Sequence, residues 1–240
     1  MTSGNHHEPD IRALRRREEI RAILRGEAAP DAPPEIFSPR APMPTGNIST
    51  VIAIGISTGG PRALADVMVA LPATLGVPIL IVQHMPSFIS ATMARTLDER
   101  CAFRVKEAED GETVLPDTAY LAPGERQMCV VPAPGGAGTV IRITDDPPEH
   151  NCRPSVDYLF RSIARHYPGR ATGVIMTGMG NDGLAGLKLL KQNGAVIIAQ
   201  DEATCTVFGM PKAAIDAGVA DKVVPLDRIA GEIMKTVRTA

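Results

Sequence analysis

Val51-Ile-Ala-Ile-Gly-Ile-Ser57-Thr-Gly-Gly-Pro61 decides how the rest of the chain is read. Its apolar run, with β-branched residues at alternate positions, reads as a strand buried in a parallel sheet. The run ends in Gly55-Ile-Ser57-Thr-Gly59, which has the G-x-S-x-G spacing of a nucleophile elbow. Such a turn lifts a serine hydroxyl above the sheet edge, and glycines two residues either side let the backbone turn without Cβ clashes. Pro61 then suits the first turn of a helix over Pro61–Leu71, where its missing N–H costs nothing. Two plainer readings compete. Ser57 or Thr58 can cap that helix, or the glycines and the helix N-terminus can cradle a phosphate. The motif alone does not choose.

Working outward, strands alternate with helices from Asn47 onward. Val77–Gln83 is a second apolar strand ending at His84-Met-Pro, and Ser87–Leu97 has a helical pattern. Between Ala102 and Thr144 the period shortens. Phe103–Lys106, Ala119–Leu121, Met128–Val131 and Thr139–Ile143 read as short strands separated by Asp-Gly, Pro-Gly and Gly-Gly turn signals. This stretch is expected to be a hairpin-rich antiparallel insertion. Helix resumes over Ser155–His166, strand over Ala171–Met176, and helix over Leu184–Gln192. A strand at Ala195–Ala199 precedes helices at Met210–Ala217 and Leu226–Thr239. The expected fold class is α/β, a doubly wound, mostly parallel sheet with right-handed crossovers and that antiparallel insertion.

Residues 1–46 differ. Asp10–Gly26 can form a helix with six arginines between Arg12 and Arg25, yet the segment carries seven arginines and seven acidic residues, so it is not a basic tail. A solvated, marginal helix is the favoured reading over a docking helix. Ala28–Pro44 holds six prolines in 17 residues, the composition of a semi-rigid linker. The domain boundary is therefore placed at 46/47, with 47–240 as the α/β domain.

Composition narrows the function classes. With 44% hydrophobic residues the 240-residue chain can bury a sizeable core, and with 3% aromatics and no Trp that core must be aliphatic and Met. A net charge of −2 argues against nucleic acid. Cys101, Cys129, Cys152 and Cys205 are scattered, with no C-x-x-C pair and no histidine at metal-ligand spacing, so no metal or cofactor is expected. With no signal-like h-region and no apolar run of about 20 residues, a cytoplasmic protein without membrane insertion is expected.

In doubly wound sheets, function gathers at the carboxyl ends of strands. Ser57, His84 and Asp182 each stand at or just past such an end. A serine nucleophile needs an imidazole to take its proton, and the imidazole needs a carboxylate to fix its tautomer. Separately, His84 can merely end a strand and Asp182 can merely cap the helix that follows. The coincidence of all three at one edge favours a triad. Its order, Ser…His…Asp, is not the Ser…Asp/Glu…His of ordinary α/β-hydrolases, so the elbow is not read as a lipase.

From about Ile52 to Val224 the chain resembles the catalytic domain of CheB-type protein-glutamate methylesterases of bacterial chemotaxis. Gly55–Gly60, Gln83-His-Met-Pro86, Tyr120-Leu-Ala-Pro-Gly124 and Arg153-Pro-Ser-Val-Asp157 carry the likeness. So do Met176-Thr-Gly-Met-Gly-Asn-Asp-Gly183, Ala199–Thr204 and Val207-Phe-Gly-Met-Pro211. The resemblance implies a triad of Ser57, His84 and Asp182, and an oxyanion hole from the backbone N–H groups of His84 and Met179. Thr58, Gly59 and Gly60 are the candidates for substrate contact. The implied reaction is hydrolysis of glutamyl methyl esters on the cytoplasmic regions of chemoreceptors, with glutamine deamidation as a further activity. Many members also carry a receiver domain of on the order of 100 residues. The first 46 residues are too few for one, so control by phosphorylation in cis is not expected, and that segment meets some other partner or the domain acts constitutively. Two rivals stand beside the esterase. One is a binding module that keeps the fold without turnover. The other is a phosphate binder, ranked last because it lacks a Walker lysine and any G-x-G-x-x-G spacing. The methionines Met85, Met176, Met179 and Met210 can line the site or simply fill the core.

Overall fold

The computed structural model of the protein describes residues 48–136 and 138–237. The N-terminal helix and proline-rich linker read from the sequence lie outside the described residues. Within them the chain runs β1 (Val51–Ile56), α1 (Gly60–Val69), β2 (Ile79–Gln83), α2 (Ser87–Asp98), β3 (Arg104–Glu107) and β4 (Thr118–Leu121). It continues β5 (Gln127–Pro132), β6 (Thr139–Thr144), α3 (Val156–His166), β7 (Ala171–Ile175), α4 (Leu184–Gln192) and β8 (Val196–Gln200). It closes with α5 (Met210–Asp216), β9 (Lys222–Val224) and α6 (Leu226–Val237).

Seven strands form one sheet in the order β3-β4-β2-β1-β7-β8-β9, and every pairing in it is parallel. β1 lies at the centre, in register with β2 (Ile56 opposite Gln83) and β7 (Gly55 opposite Ile175). All six of its residues are buried, which is why it reads as a continuous apolar run rather than an alternating one. One face of the sheet packs on α1, α2 and α6 through Leu64, Met68, Leu97, Ile229 and Ile233. The other packs on α3, α4, α5 and the β5–β6 hairpin through Leu159, Phe160, Leu187, Met210 and Ile141.

The antiparallel insertion is smaller than the sequence suggests. Among the described strands only β5 and β6 pair antiparallel with each other, whereas β3 and β4 run parallel and extend the main sheet beyond β2. The Asp110-Gly111 signal does bend the chain, but the bend lays residues 111–114 against β6. There Gly111 N–H donates to Ile141 O (2.8 Å), Ile141 N–H to Glu112 O (2.8 Å) and Val114 N–H to Thr139 O (3.0 Å). That detour turns β4 back parallel to β3 and lets its four buried residues be covered on both faces. The edge strand β9 has no counterpart in the sequence reading. It is three residues long and largely exposed, so it carries no hydrophobic signal.

At the amino edge of the sheet the two ends of the described domain are tied together. Ser49 N–H donates to Thr236 O (2.8 Å), and its hydroxyl meets Thr172 Oγ1 (2.7 Å), which in turn donates to Thr236 Oγ1 (2.7 Å).

Gly55 shows how closely the layers meet. A Cβ there would stand 2.3 Å from Val156 Cγ1, at the fully buried first residue of α3. Gly55→Ala should therefore lower the unfolding free energy by about 1–3 kcal/mol, the usual cost of overpacking a filled core. Urea denaturation measures it, and an unchanged midpoint would mean that α3 shifts freely against β1.

Candidate active site

β2, β1 and β7 are neighbours, so the residues that leave their carboxyl ends meet at the point where the chain changes direction across the sheet. Ser57 leaves β1, His84 leaves β2, and Asp182 sits on the loop after β7. The turn at Ser57 is pinned from below, where Ser57 N–H donates to Thr177 O (2.9 Å) and Gly60 N–H to Ser57 O (2.8 Å). Gln83, buried beneath, donates through Nε2 to both Ser57 O and His84 O at 3.0 Å and so clamps the two loops together. Gly59 has φ +80°, and a Cβ there would fall 2.4 Å from Thr206 Oγ1. A left-handed residue with no side-chain room calls for glycine.

The capping reading of the serine does not hold. The N-cap of α1 is Gly59, with no side-chain capping hydrogen bond, so the Ser57 hydroxyl is not spent on the helix. It stands 3.0 Å from His84 Nδ1, and His84 Nε2 stands 2.8 Å from Asp182 Oδ2. Asp182 does not cap α4 either, since the N-cap of that helix is Gly183, with no side-chain bond. It closes the N-terminus of α3 instead. Val156 N–H donates to Oδ2 (2.8 Å), and Asp157 N–H (3.0 Å) and Ser155 Oγ (2.9 Å) donate to Oδ1. Burial alone would raise this carboxyl's pKa, but the His84 bond and the two backbone N–H groups outweigh it, holding the group below the usual carboxylate range. A helix N-terminus favours the same anionic form.

The imidazole tautomer follows from these contacts. With an ionised carboxylate at Nε2, the proton sits there and Nδ1 offers its lone pair to the serine hydroxyl. The arrangement can accept a proton from Ser57 and stabilise the resulting imidazolium. Behind it lies a second carboxylate, Asp157, whose Oδ1 accepts the Gly186 N–H (2.7 Å) and whose pKa burial pushes up. His150 Nε2 is 3.2 Å from Asp157 Oδ2, close enough for an ion pair but misaligned for a hydrogen bond.

The backbone donors expected to hold an oxyanion differ from one another. Met179 N–H makes no hydrogen bond to protein among the described residues, nor do Thr58 N–H and Gly59 N–H. His84 N–H is engaged: it donates to Ile56 O at 3.2 Å as the last rung between β2 and β1. Of the expected substrate contacts, Thr58 is exposed and Gly59 partly so. Gly60 is buried against Gln83, whose Oε1 would lie 1.8 Å from any Cβ there. Met176 and Met210 are core residues, whereas Met179 and Phe88 are 75% and 79% exposed on segments adjoining the triad.

Sequence reasoning missed Ser155 and Cys152. Cys152 Sγ stands 3.7 Å from His84 Nδ1, and burial, followed by the Asp182 charge, pushes its thiol up to about 11. Ser155 lies within the Arg153–Asp157 motif and Cys152 directly precedes it, which was the available signal. Among the described residues, two groups hold ligand-type atoms within 4.8 Å of one another: His84 with Cys152 and Asp182, and His150 with Asp157 and Asp182. No triad residue lines the 600 Å³ concavity between α1 and α6, whose walls include Asp66, Thr204 and Leu226. Of the triad residues Ser57 and His84 are partly exposed, whereas Asp182 is buried.

The same arrangement of chain is found among known proteins. Residues 52–233 match the family described as CheB methylesterase. A "Protein-glutamate methylesterase/protein-glutamine glutaminase" of Desulfotalea psychrophila is 54% identical over 188 residues, 78% of this chain and 52% of the relative. One of the "group 3 operon" in Rhodopseudomonas palustris is 45% identical over 231 residues, 92% of this chain and 63% of the relative. The chain thus spans about half the length of several curated relatives it matches. The crystal structure of the Thermotoga maritima CheB methylesterase catalytic domain superposes with a TM-score of 0.75 at 39% identity, over 78% of this chain and 98% of that one. With its elbow serine, strand-end histidine and helix-bound aspartate on such a sheet, the chain belongs to the CheB methylesterase family.

Proposed function

We propose that the domain is a serine hydrolase that removes methyl groups from glutamate methyl esters on the cytoplasmic regions of chemoreceptors. The observation that carries this is the hydrogen-bonded chain from Ser57 through His84 to Asp182. Ser57 Oγ attacks the ester carbonyl while His84 Nδ1 takes its proton, and Asp182 holds the Nε2 proton and stabilises the imidazolium. His84 then returns its proton to the departing methoxide, and methanol leaves. Water, deprotonated by the same nitrogen, attacks the glutamyl–Ser57 ester and restores the enzyme. Of the two donors expected to hold the oxyanion, Met179 N–H is the unengaged one, and such a donor is typically worth about 3 kcal/mol. His84 N–H joins it only by giving up its bond to Ile56. Thr58 and Gly59 border the substrate.

With Ser57 and His84 partly exposed and Thr58 exposed beside them, the serine is within reach of a side chain presented on another protein. The relatives' names include a protein-glutamine glutaminase activity. The same acyl-enzyme serves it, with ammonia leaving in place of methanol. We place the catalytic unit at 47–240, with 1–46 a separate segment open to a further partner, and the setting as the cytoplasm. Among the described residues no helix is long and apolar enough to cross a membrane.

The test is methanol release from methyl-labelled chemoreceptor membranes, run beside phosphonate labelling of Ser57. Release with labelling is the expected result. Labelling without release would move the substrate away from receptors, and failure of both would sink the hydrolase reading.

A further inference from the structure

No metal-ligand spacing is visible along the chain because the atoms concerned come from three separate segments. Folding brings Cys152 Sγ to 3.7 Å from His84 Nδ1, and Ser57 Oγ to 3.0 Å from the same nitrogen. Tetrahedral zinc, with bonds of about 2.3 Å to sulfur and 2.0–2.1 Å to nitrogen, separates two such ligands by about 3.6 Å. The sulfur–nitrogen gap therefore matches one edge of a zinc tetrahedron. The third relevant group is Asp182. It is within reach of the cluster, yet it already accepts four donors and sits on the opposite ring nitrogen. That placement gives it a different part. Histidines that bind metals usually donate their other ring N–H to a carboxylate, which fixes the tautomer and raises the basicity of the ligating nitrogen. Nε2–H to Asp182 is that arrangement.

We propose that Cys152 Sγ and His84 Nδ1, with Ser57 Oγ and water completing the shell, form a site for a thiophilic divalent cation of the zinc class, whose occupancy silences the triad. The metal takes the lone pair that would accept the serine proton, so the bound form has no general base. Binding releases the Cys152 thiol proton to solvent as the sulfur–metal bond forms, and no redox partner is involved. Cys152 is partly exposed, which leaves the cation a way in. The silencing rests on the hydrolase reading, whereas the site itself does not.

Cobalt(II) chloride is the probe for the site and zinc chloride the probe for silencing. Titrated with Co²⁺, the full chain should develop a near-ultraviolet thiolate-to-cobalt band that saturates at one ion per chain and that Zn²⁺ displaces. Cys152→Ser should lose the band, although Cys101, Cys129 and Cys205 remain. Zn²⁺ should also slow phosphonate labelling of Ser57. In Cys152→Ser, with each protein normalised to its own metal-free rate, the Zn²⁺ needed for half-inhibition should rise at least ~10-fold, the scale on which even outer-shell partners affect metal affinity. No band in the parent protein, or a band that survives in Cys152→Ser, overturns the site. A band with labelling indifferent to Zn²⁺ overturns the silencing. A parent protein that binds Co²⁺ in this way but never reacts with the phosphonate upholds the site while the hydrolase reading fails.

Discussion

Ser57→Ala is expected to reduce kcat for methanol release by at least ~10,000-fold, since removing a serine nucleophile from a working triad costs on that order or more. The substitution takes away one atom, Oγ, whose hydrogen-bond partner is His84 Nδ1 at 3.0 Å. The Cβ stays where it is, packed against Gly178, where an added Cβ would lie 2.7 Å away. The elbow itself is held by backbone bonds that alanine keeps, from Ser57 N–H to Thr177 O and from Gly60 N–H to Ser57 O. Stability should therefore move by no more than about 1 kcal/mol, the net worth of a single hydrogen bond. Steady-state methanol release and urea denaturation, run on the same preparation, separate the two effects. Retention of a tenth of the parent rate in a folded protein would assign the nucleophile elsewhere.

Asp182→Asn should lower kcat by about 10,000-fold while leaving KM close to the parent value, the pattern of a triad whose tautomer is wrong. The carboxylate accepts from four donors, His84 Nε2 and Val156 N–H on one oxygen and Ser155 Oγ and Asp157 N–H on the other. An amide can accept on only one side. If its NH₂ faces His84, the ring must carry its proton on Nδ1, where it points at Ser57 and the base is gone. If the NH₂ faces Ser155 and Asp157, two donors at the start of α3 lose their acceptor, at about 1–3 kcal/mol for each buried group left unpaired. Either placement is costly, so a fall in the urea midpoint should accompany the kinetic loss. Unchanged kcat would remove Asp182 from the chemistry and leave it only as the cap of α3.

The central part of this fold was legible because one local pattern carries it. The run from Val51 to Ile56 is apolar throughout, and only a strand covered on both faces needs that. Once β1 is central, the carboxyl-edge rule locates the three residues of the proposed triad, Ser57, His84 and Asp182. What stayed hidden depends on partners distant in sequence. Short strands with a turn signal between them look the same whether the chain folds back antiparallel or returns in parallel, and only the pairing of residues 111–114 with β6 settles it for β3 and β4. The second job of Asp182, closing α3, could not be read from the helix that follows it in the chain. Cys152 carries no sign of its neighbour, because 68 positions separate it from His84. The engaged His84 N–H shows the limit of transfer by motif: the residue matches, while its donor is already committed to the sheet.

The clasp at the amino edge has an engineering meaning. With Ser49 N–H bonded to Thr236 O, the domain's entry and exit lie a hydrogen bond apart, on the side of the sheet away from Ser57. Neighbouring ends are what allow a domain to be circularly permuted or inserted into a surface loop of a host protein. A short peptide joining 236 to 49, with new ends opened elsewhere, would keep the sheet order and leave the carboxyl edge untouched. The unit is in that sense portable, a cassette that can be carried on an unrelated scaffold.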